Sequence, residues 1–241
     1  MQLATSRRTS GRERAARPLL PGSFRLPAAV LLAVCVAVTA LFGIAFAGHR
    51  QGSRLDAAVD PALQSSLGHV IVLLNVSEVL GTLIPVSLMT LALTLACLAT
   101  RRWSGAALSL VAAPAASALT EFVLKPLVGR TSGGALTFPS GHATSMFALA
   151  GTCTVLLIDT VLLIDPPGHQ VRAPVRMLLA SLALLVATTV ALAMVARSAH
   201  YFTDVVAGAA VGIGMVLACA LTLDFLGRRD LLGAARTSGA T

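Results

Sequence analysis

Hydrophobic and polar positions fall in long blocks along this chain, without the short alternation of a half-buried strand. Apolar runs occupy 26–47, 80–99, 105–124, 140–163, 177–196 and 204–225. A helix needs about 20 such residues to cross a hydrocarbon core about 30 Å thick, so each run predicts one transmembrane helix. An outer-membrane barrel would show brief alternating segments, and none is visible. The fold class expected is all-α, an integral membrane bundle of six transmembrane helices. Residues 48–79 are mixed instead: Asp56, Asp60 and Pro61 precede a brief apolar stretch, Val70–Leu74, which Asn75 and Glu78 end. That stretch is too short to cross and reads as an interfacial helix or a packed external segment.

Charge sets the expected orientation and the domain limits. Residues 1–24 are rich in Arg, Ser, Pro and Gly with no apolar period and read as a disordered basic cytoplasmic arm. Residues 25–226 then form the membrane domain, with 48–79 as its external segment, and 227–241 a cytoplasmic tail. With the arm inside, Arg101-Arg102, Arg172, Arg176 and Arg228-Arg229 also fall inside, as the positive-inside rule requires. Segments 48–79, 125–142 and 197–204 then face the extracytoplasmic side. Ala45-Phe46-Ala47 resembles a signal-peptidase site, but the run before it is longer than a signal-peptide core, so an uncleaved span is expected.

Composition supports the membrane reading: 56% of residues are hydrophobic and 12% charged, more apolar surface than a soluble core of this size can bury. The net charge of +8 comes from arginines at span ends and is not accompanied by a nucleic-acid recognition module, so no nucleic-acid partner is expected. Cys35, Cys97, Cys153 and Cys219 lie in separate apolar runs with no metal-ligand spacing, and no cofactor or metal is expected.

Two polar stretches about sixty positions apart carry the candidate chemistry. One runs from Lys125, the sole lysine, through Arg130 to Pro139-Ser140-Gly141-His142; the other is Arg197 to Asp204, with His200 between them. Ionisable groups at span ends cost several kcal/mol to hold and mark a functional site by default. Ser140 stands where a cap belongs, so the Gly141 and His142 amides would face an anion at the mouth of the fourth span. Arg197, His200 and Asp204 share a face if helical turns persist there. A carboxylate beside an imidazole fixes its tautomer and leaves the other nitrogen free to attack. Glu121, one turn before Lys125, reads as its ion-pair partner. His49, His69 and His169 read as interfacial side chains, Tyr201 as interfacial packing, and Asp159 and Asp224 as headgroup-level charges.

These motifs resemble the type 2 phosphatidic acid phosphatases, the lipid phosphate phosphatase superfamily, whose pattern is K-x6-R-P, P-S-G-H and S-R-x5-H-x3-D. The resemblance covers about residues 80–225. Both arginines are displaced: the pattern's Arg-Pro falls on Ser132-Gly133 and its later arginine on Met194, while the nearest arginines are Arg130 and Arg197. The resemblance implies that His200 is a nucleophile forming a phosphohistidine, that Asp204 orients it, and that His142 is the general acid. Lys125, Arg130, Arg197, Ser140 and the Gly141 amide would hold the phosphoryl oxygens without a metal. The function implied is hydrolysis of a phosphomonoester or pyrophosphate on a membrane lipid: a prenyl (pyro)phosphate, phosphatidic acid or phosphatidylglycerol phosphate. A headgroup phosphotransferase on the same scaffold and a binding or transport protein without catalysis are the other readings.

Overall fold

The computed structural model describes residues 18–163 and 172–238, with backbone alone for 159–163, 172–173 and 230–238. The arm up to residue 17, the side chains of Asp159 and Arg172, and all of His169 lie outside what is described. The described chain is an all-α membrane bundle with one small hairpin. In order come α1 (Gly22–Ala45), α2 (Arg54–Leu67), α3 (Ile71–Leu80), α4 (Leu83–Ala99) and α5 (Trp103–Ala118). A π-helical segment (Leu119–Leu124) leads into α6 (Lys125–Val128), then the hairpin β1 (Thr131–Ser132) and β2 (Ala135–Leu136). The chain closes with α7 (Gly141–Leu163), α8 (Arg172–Ala196) and α9 (Phe202–Ser238).

Among the described residues five helical stretches are long and apolar enough to cross a membrane: 22–45, 103–128, 141–158, 174–196 and 202–229. The remaining apolar run forms α4, whose 17 residues sit at the short end of what can span. Helices α2 and α3 are bent by 115° to one another, the arrangement of a broken span or a re-entrant loop.

Small residues bring the central helices together. A Cβ on Gly208 would lie 2.5 Å from the Ser140 carbonyl oxygen, and one on Gly212 would strike the Thr144 carbonyl. Only glycine at these two positions lets α9 lie against the start of α7. Leu108, Ala112 and Ala116 of α5, Ala148 and Leu149 of α7, and Val216 and Ala220 of α9 fill the core between them.

Two boundaries differ from the sequence reading. Leu19 and Leu20 are buried, and their amides donate to the Asp224 carboxylate at 2.6 and 2.9 Å. Structure therefore begins before residue 24, and Asp224 is a buried amino-terminal clasp, 3.6 Å from Arg25, and not a headgroup-level charge. Satisfying two orphan amides is what allows a carboxylate to sit there. The last helix also runs without interruption past 226 to Ser238.

Three local devices deliver the polar stretches to one end of the bundle. The π segment carries Glu121 and ends at Lys125; such insertions recur at functional sites because they re-aim side chains. Gly129, at φ 64°, closes α6 in the left-handed cap that glycine adopts without a Cβ penalty. The Gly133-Gly134 loop, at φ 57° and 87°, supplies the two positive dihedrals of the tight turn joining β1 and β2.

Candidate active site

The amino end of α7 forms the floor of the site. Ser140 is fully buried: its amide donates to the Asp204 carbonyl at 3.0 Å, and its hydroxyl caps the Ala143 amide at 3.4 Å. Gly141 is next, and the Glu121 carboxylate lies directly against it with Lys125 just behind. Lys125 grips Glu121 through both carboxylate oxygens, at 2.7 and 2.8 Å. A side-chain carboxylate thus rests where a helix amino terminus favours an anion.

His142 projects from the first turn of α7 onto Gly81, which has no side chain to obstruct the ring. Its Nε2 is 3.1 Å from the Glu78 carbonyl oxygen. The Glu78 carboxylate in turn pairs with Arg197 Nη2 at 2.8 Å, while Arg197 Nη1 donates to Asn75 at 3.0 Å. The carboxyl end of α3 therefore covers the rim of the site.

His200 sits between α8 and α9. A left-handed Ser198 at φ 59° turns the chain, and the His200 amide returns to the Met194 carbonyl at 3.3 Å. Its Nδ1 is 3.0 Å from the Thr137 carbonyl oxygen. A carbonyl only accepts, so Nδ1 carries the proton and Nε2 keeps its lone pair. Burial pushes the His200 pKa down to about 4, with the Lys125 and His142 charges adding to it and the Thr137 bond opposing. At neutral pH the imidazole is uncharged, the state in which a ring nitrogen can attack.

The structure assigns three side chains differently from the sequence reading. Arg130 does not face the mouth. It is fully buried, donating to Asp204 at 2.6 Å, Thr203 at 2.7 Å and Asp56 at 2.8 Å. Its guanidinium also stacks between Phe46 and Tyr201, 4.3 and 4.4 Å from the ring centres. Two carboxylates and two rings leave it no face for a phosphate, so it is withdrawn from the phosphate-holding set. Ser140 is withdrawn too, because its hydroxyl is fully buried and taken up by the Ala143 amide as the α7 cap. Asp204 is engaged mainly by Arg130 and lies 3.9 Å from His200 Nδ1, so the Thr137 carbonyl and not Asp204 fixes the tautomer. Lys125, Gly141, His142 and His200 do come together, with Arg197 at the rim. Met194, where the displaced arginine was sought, is buried at the end of α8 and out of reach of an anion.

Sequence reasoning missed Thr137, Asp56 and Glu78. Thr137 acts through its backbone, which no residue type announces. Asp56 and Glu78 lie in the segment set aside as external.

Residues 129–228 match the model of the PAP2 superfamily. The matched segment, which carries P-S-G-H and H-x3-D, is similar to the PAP2 superfamily, whose members generally act as phosphatases or phosphotransferases on phosphorylated substrates. No curated protein and no solved structure matches the chain.

Proposed function

We propose that this protein is a lipid phosphate phosphatase working through a phosphohistidine. The observation that carries the reading is the His200 imidazole, uncharged, with Nδ1 held on the Thr137 carbonyl and within electrostatic reach of Lys125 and of His142 in the first turn of α7. His200 Nε2 donates its lone pair to phosphorus as the bond to the lipid oxygen breaks. His142 gives that oxygen a proton, then takes one from the water that cleaves the phosphorus–nitrogen bond. For this the leaving oxygen takes the place of the Glu78 carbonyl at His142 Nε2. Lys125 and Arg197 exchange Glu121 and Glu78 for phosphoryl oxygens, a small cost because exposed ion pairs contribute about 0–1 kcal/mol. Positioning and charge stabilisation supply most of what phosphoryl transfer needs.

A membrane lipid is favoured over a soluble ester by an apolar cavity of about 660 Å³ between α1, the π segment and α9. The space is half-open, and Phe138, next to the Thr137 that holds His200, lines it, so a hydrocarbon tail lying along it would have its headgroup end toward the site.

Purified protein in detergent should release inorganic phosphate from at least one of a prenyl monophosphate, a prenyl diphosphate, phosphatidic acid and phosphatidylglycerol phosphate. Activity should survive EDTA and be inhibited by vanadate. Transfer of the phosphoryl group to an added alcohol with no free phosphate would make the protein a phosphotransferase. No reaction with any of the four would favour a binding protein.

The arginine pattern supports an extracytoplasmic site. Cysteine at Ala135, exposed on the hairpin, should react with an impermeant maleimide added to intact cells, and cysteine at the exposed Thr100 should not. Labelling at position 100 alone would invert the orientation.

A further inference from the structure

We propose that Asp56, on a helix outside the family-matched segment, is a positioning residue for His200. The proposal rests on His200 being the nucleophile. Asp56 is 1% exposed and its carboxylate is saturated. Oδ1 accepts the Thr203 amide at 2.8 Å; Oδ2 accepts the Ser53 amide at 2.7 Å, Arg130 Nη2 at 2.8 Å and the Thr203 hydroxyl at 3.0 Å. Ser53 caps α2 in return, its hydroxyl accepting the Asp56 amide at 3.2 Å, so the carboxylate cannot swing away with its own helix.

From Asp56 the connections run to the nucleophile in two ways. Through the backbone, the first amides of α9 are all held by carboxylates: Tyr201 by Asp204 at 3.2 Å, Phe202 by Asp60 at 3.1 Å and Thr203 by Asp56. These are the amides a helix start ordinarily leaves to water. With two of the three acceptors on α2, the loop bearing His200 is fixed to that helix. Through charge, Arg130 bridges Asp56 and Asp204, and Asp204 Oδ2 is 3.9 Å from His200 Nδ1. Asp56 thereby shares the Arg130 charge and leaves Asp204 part of its field at the imidazole. Lys125 of α6 and His142 of α7 also act on the ring through their charge.

A shift of about 1 Å in a reacting group, caused from outside the chemistry, costs about 10²-fold in rate. Asp56→Asn keeps the shape but loses the charge and opposes an amide N–H to Arg130. In this variant kcat for the lipid phosphate that the wild type hydrolyses should fall about ten- to a hundredfold, with KM within about twofold, because Asp56 does not face the anion position.

Histidine ¹⁵N NMR of the full chain in nanodiscs reads the same effect without any substrate. The His200 titration midpoint should move down in Asp56→Asn, where the surroundings have lost a negative charge. It should move up in Arg130→Met/Asp56→Asn, where Asp204 faces the ring with no guanidinium to neutralise it. In the single variant Arg130 keeps Asp204 as its partner, so its buried charge is not left unpaired. Unchanged midpoints in both variants, with each folded by circular dichroism, would overturn the positioning role. Wild type inert toward every lipid phosphate, but with the two midpoints shifting as stated, would instead overturn the phosphatase reading while showing that Asp56 still sets the surroundings of His200.

Discussion

His200→Asn is expected to lose at least about 10³-fold in turnover while folding normally, because it removes the attacking lone pair and retains a side chain of similar width. An acid-labile, base-stable phosphoryl group should be trapped on wild-type protein quenched during turnover, and should be absent from the variant. Turnover near the wild-type rate in His200→Asn would move the nucleophile elsewhere. The pH profile adds a check with a definite sign. His200 must be neutral to attack and His142 protonated to serve as the acid, so kcat/KM should rise as pH falls from neutral while His142 takes up its proton. It should drop near pH 4, where His200, its pKa pushed down to about 4, takes up its own. Stability follows the same depression. The unfolded histidine takes up its proton near its ordinary value of about 6.5, well before the folded one does. The contribution of His200 is therefore fully present above that pH and is lost progressively down to about 4.

What the sequence disclosed and what it hid divide along physical lines. Bundle architecture was legible because about twenty apolar residues in a row have few alternatives. The π segment and α6 extend the third run to residue 128 without changing the reading. P-S-G-H and H-x3-D placed both histidines at helix starts, which the close approach at Gly208 and Gly212 holds together. The direction of each charged side chain was not legible. Arg130 and Arg197 look equivalent as text, yet one is fully buried between two carboxylates and the other is exposed on Glu78. That outcome turns on Asp56, some 74 positions away in a segment with no motif of its own. Asp224 hid for the same reason, since its partners are backbone amides at the other end of the chain. The role of Thr137 could not be read either, because a carbonyl has no side-chain signature.

Arg130→Met should destabilise the protein more than any substitution at the mouth. It leaves Asp56 and Asp204, 1% and 0% exposed, without the cation that balances them. Breaking a buried pair by removing one partner costs about 3–5 kcal/mol. That is a large share of the ~5–15 kcal/mol by which a typical fold is stable. The expected result is loss of the monodisperse peak in detergent, or a fall in unfolding temperature that added vanadate does not restore. Arg130→Lys should recover only part, because one ammonium cannot reach Asp56, Asp204 and Thr203 together while stacking between Phe46 and Tyr201. Neutralising the orphans tests the cause: Arg130→Met/Asp56→Asn/Asp204→Asn should regain much of the stability lost in the single variant, since no unpaired charge remains buried. The opposite pattern, an unchanged unfolding temperature in Arg130→Met with a raised KM, would return this arginine to the phosphate. It would also require the guanidinium to leave a cage in which every partner it now has is itself buried or stacked against it.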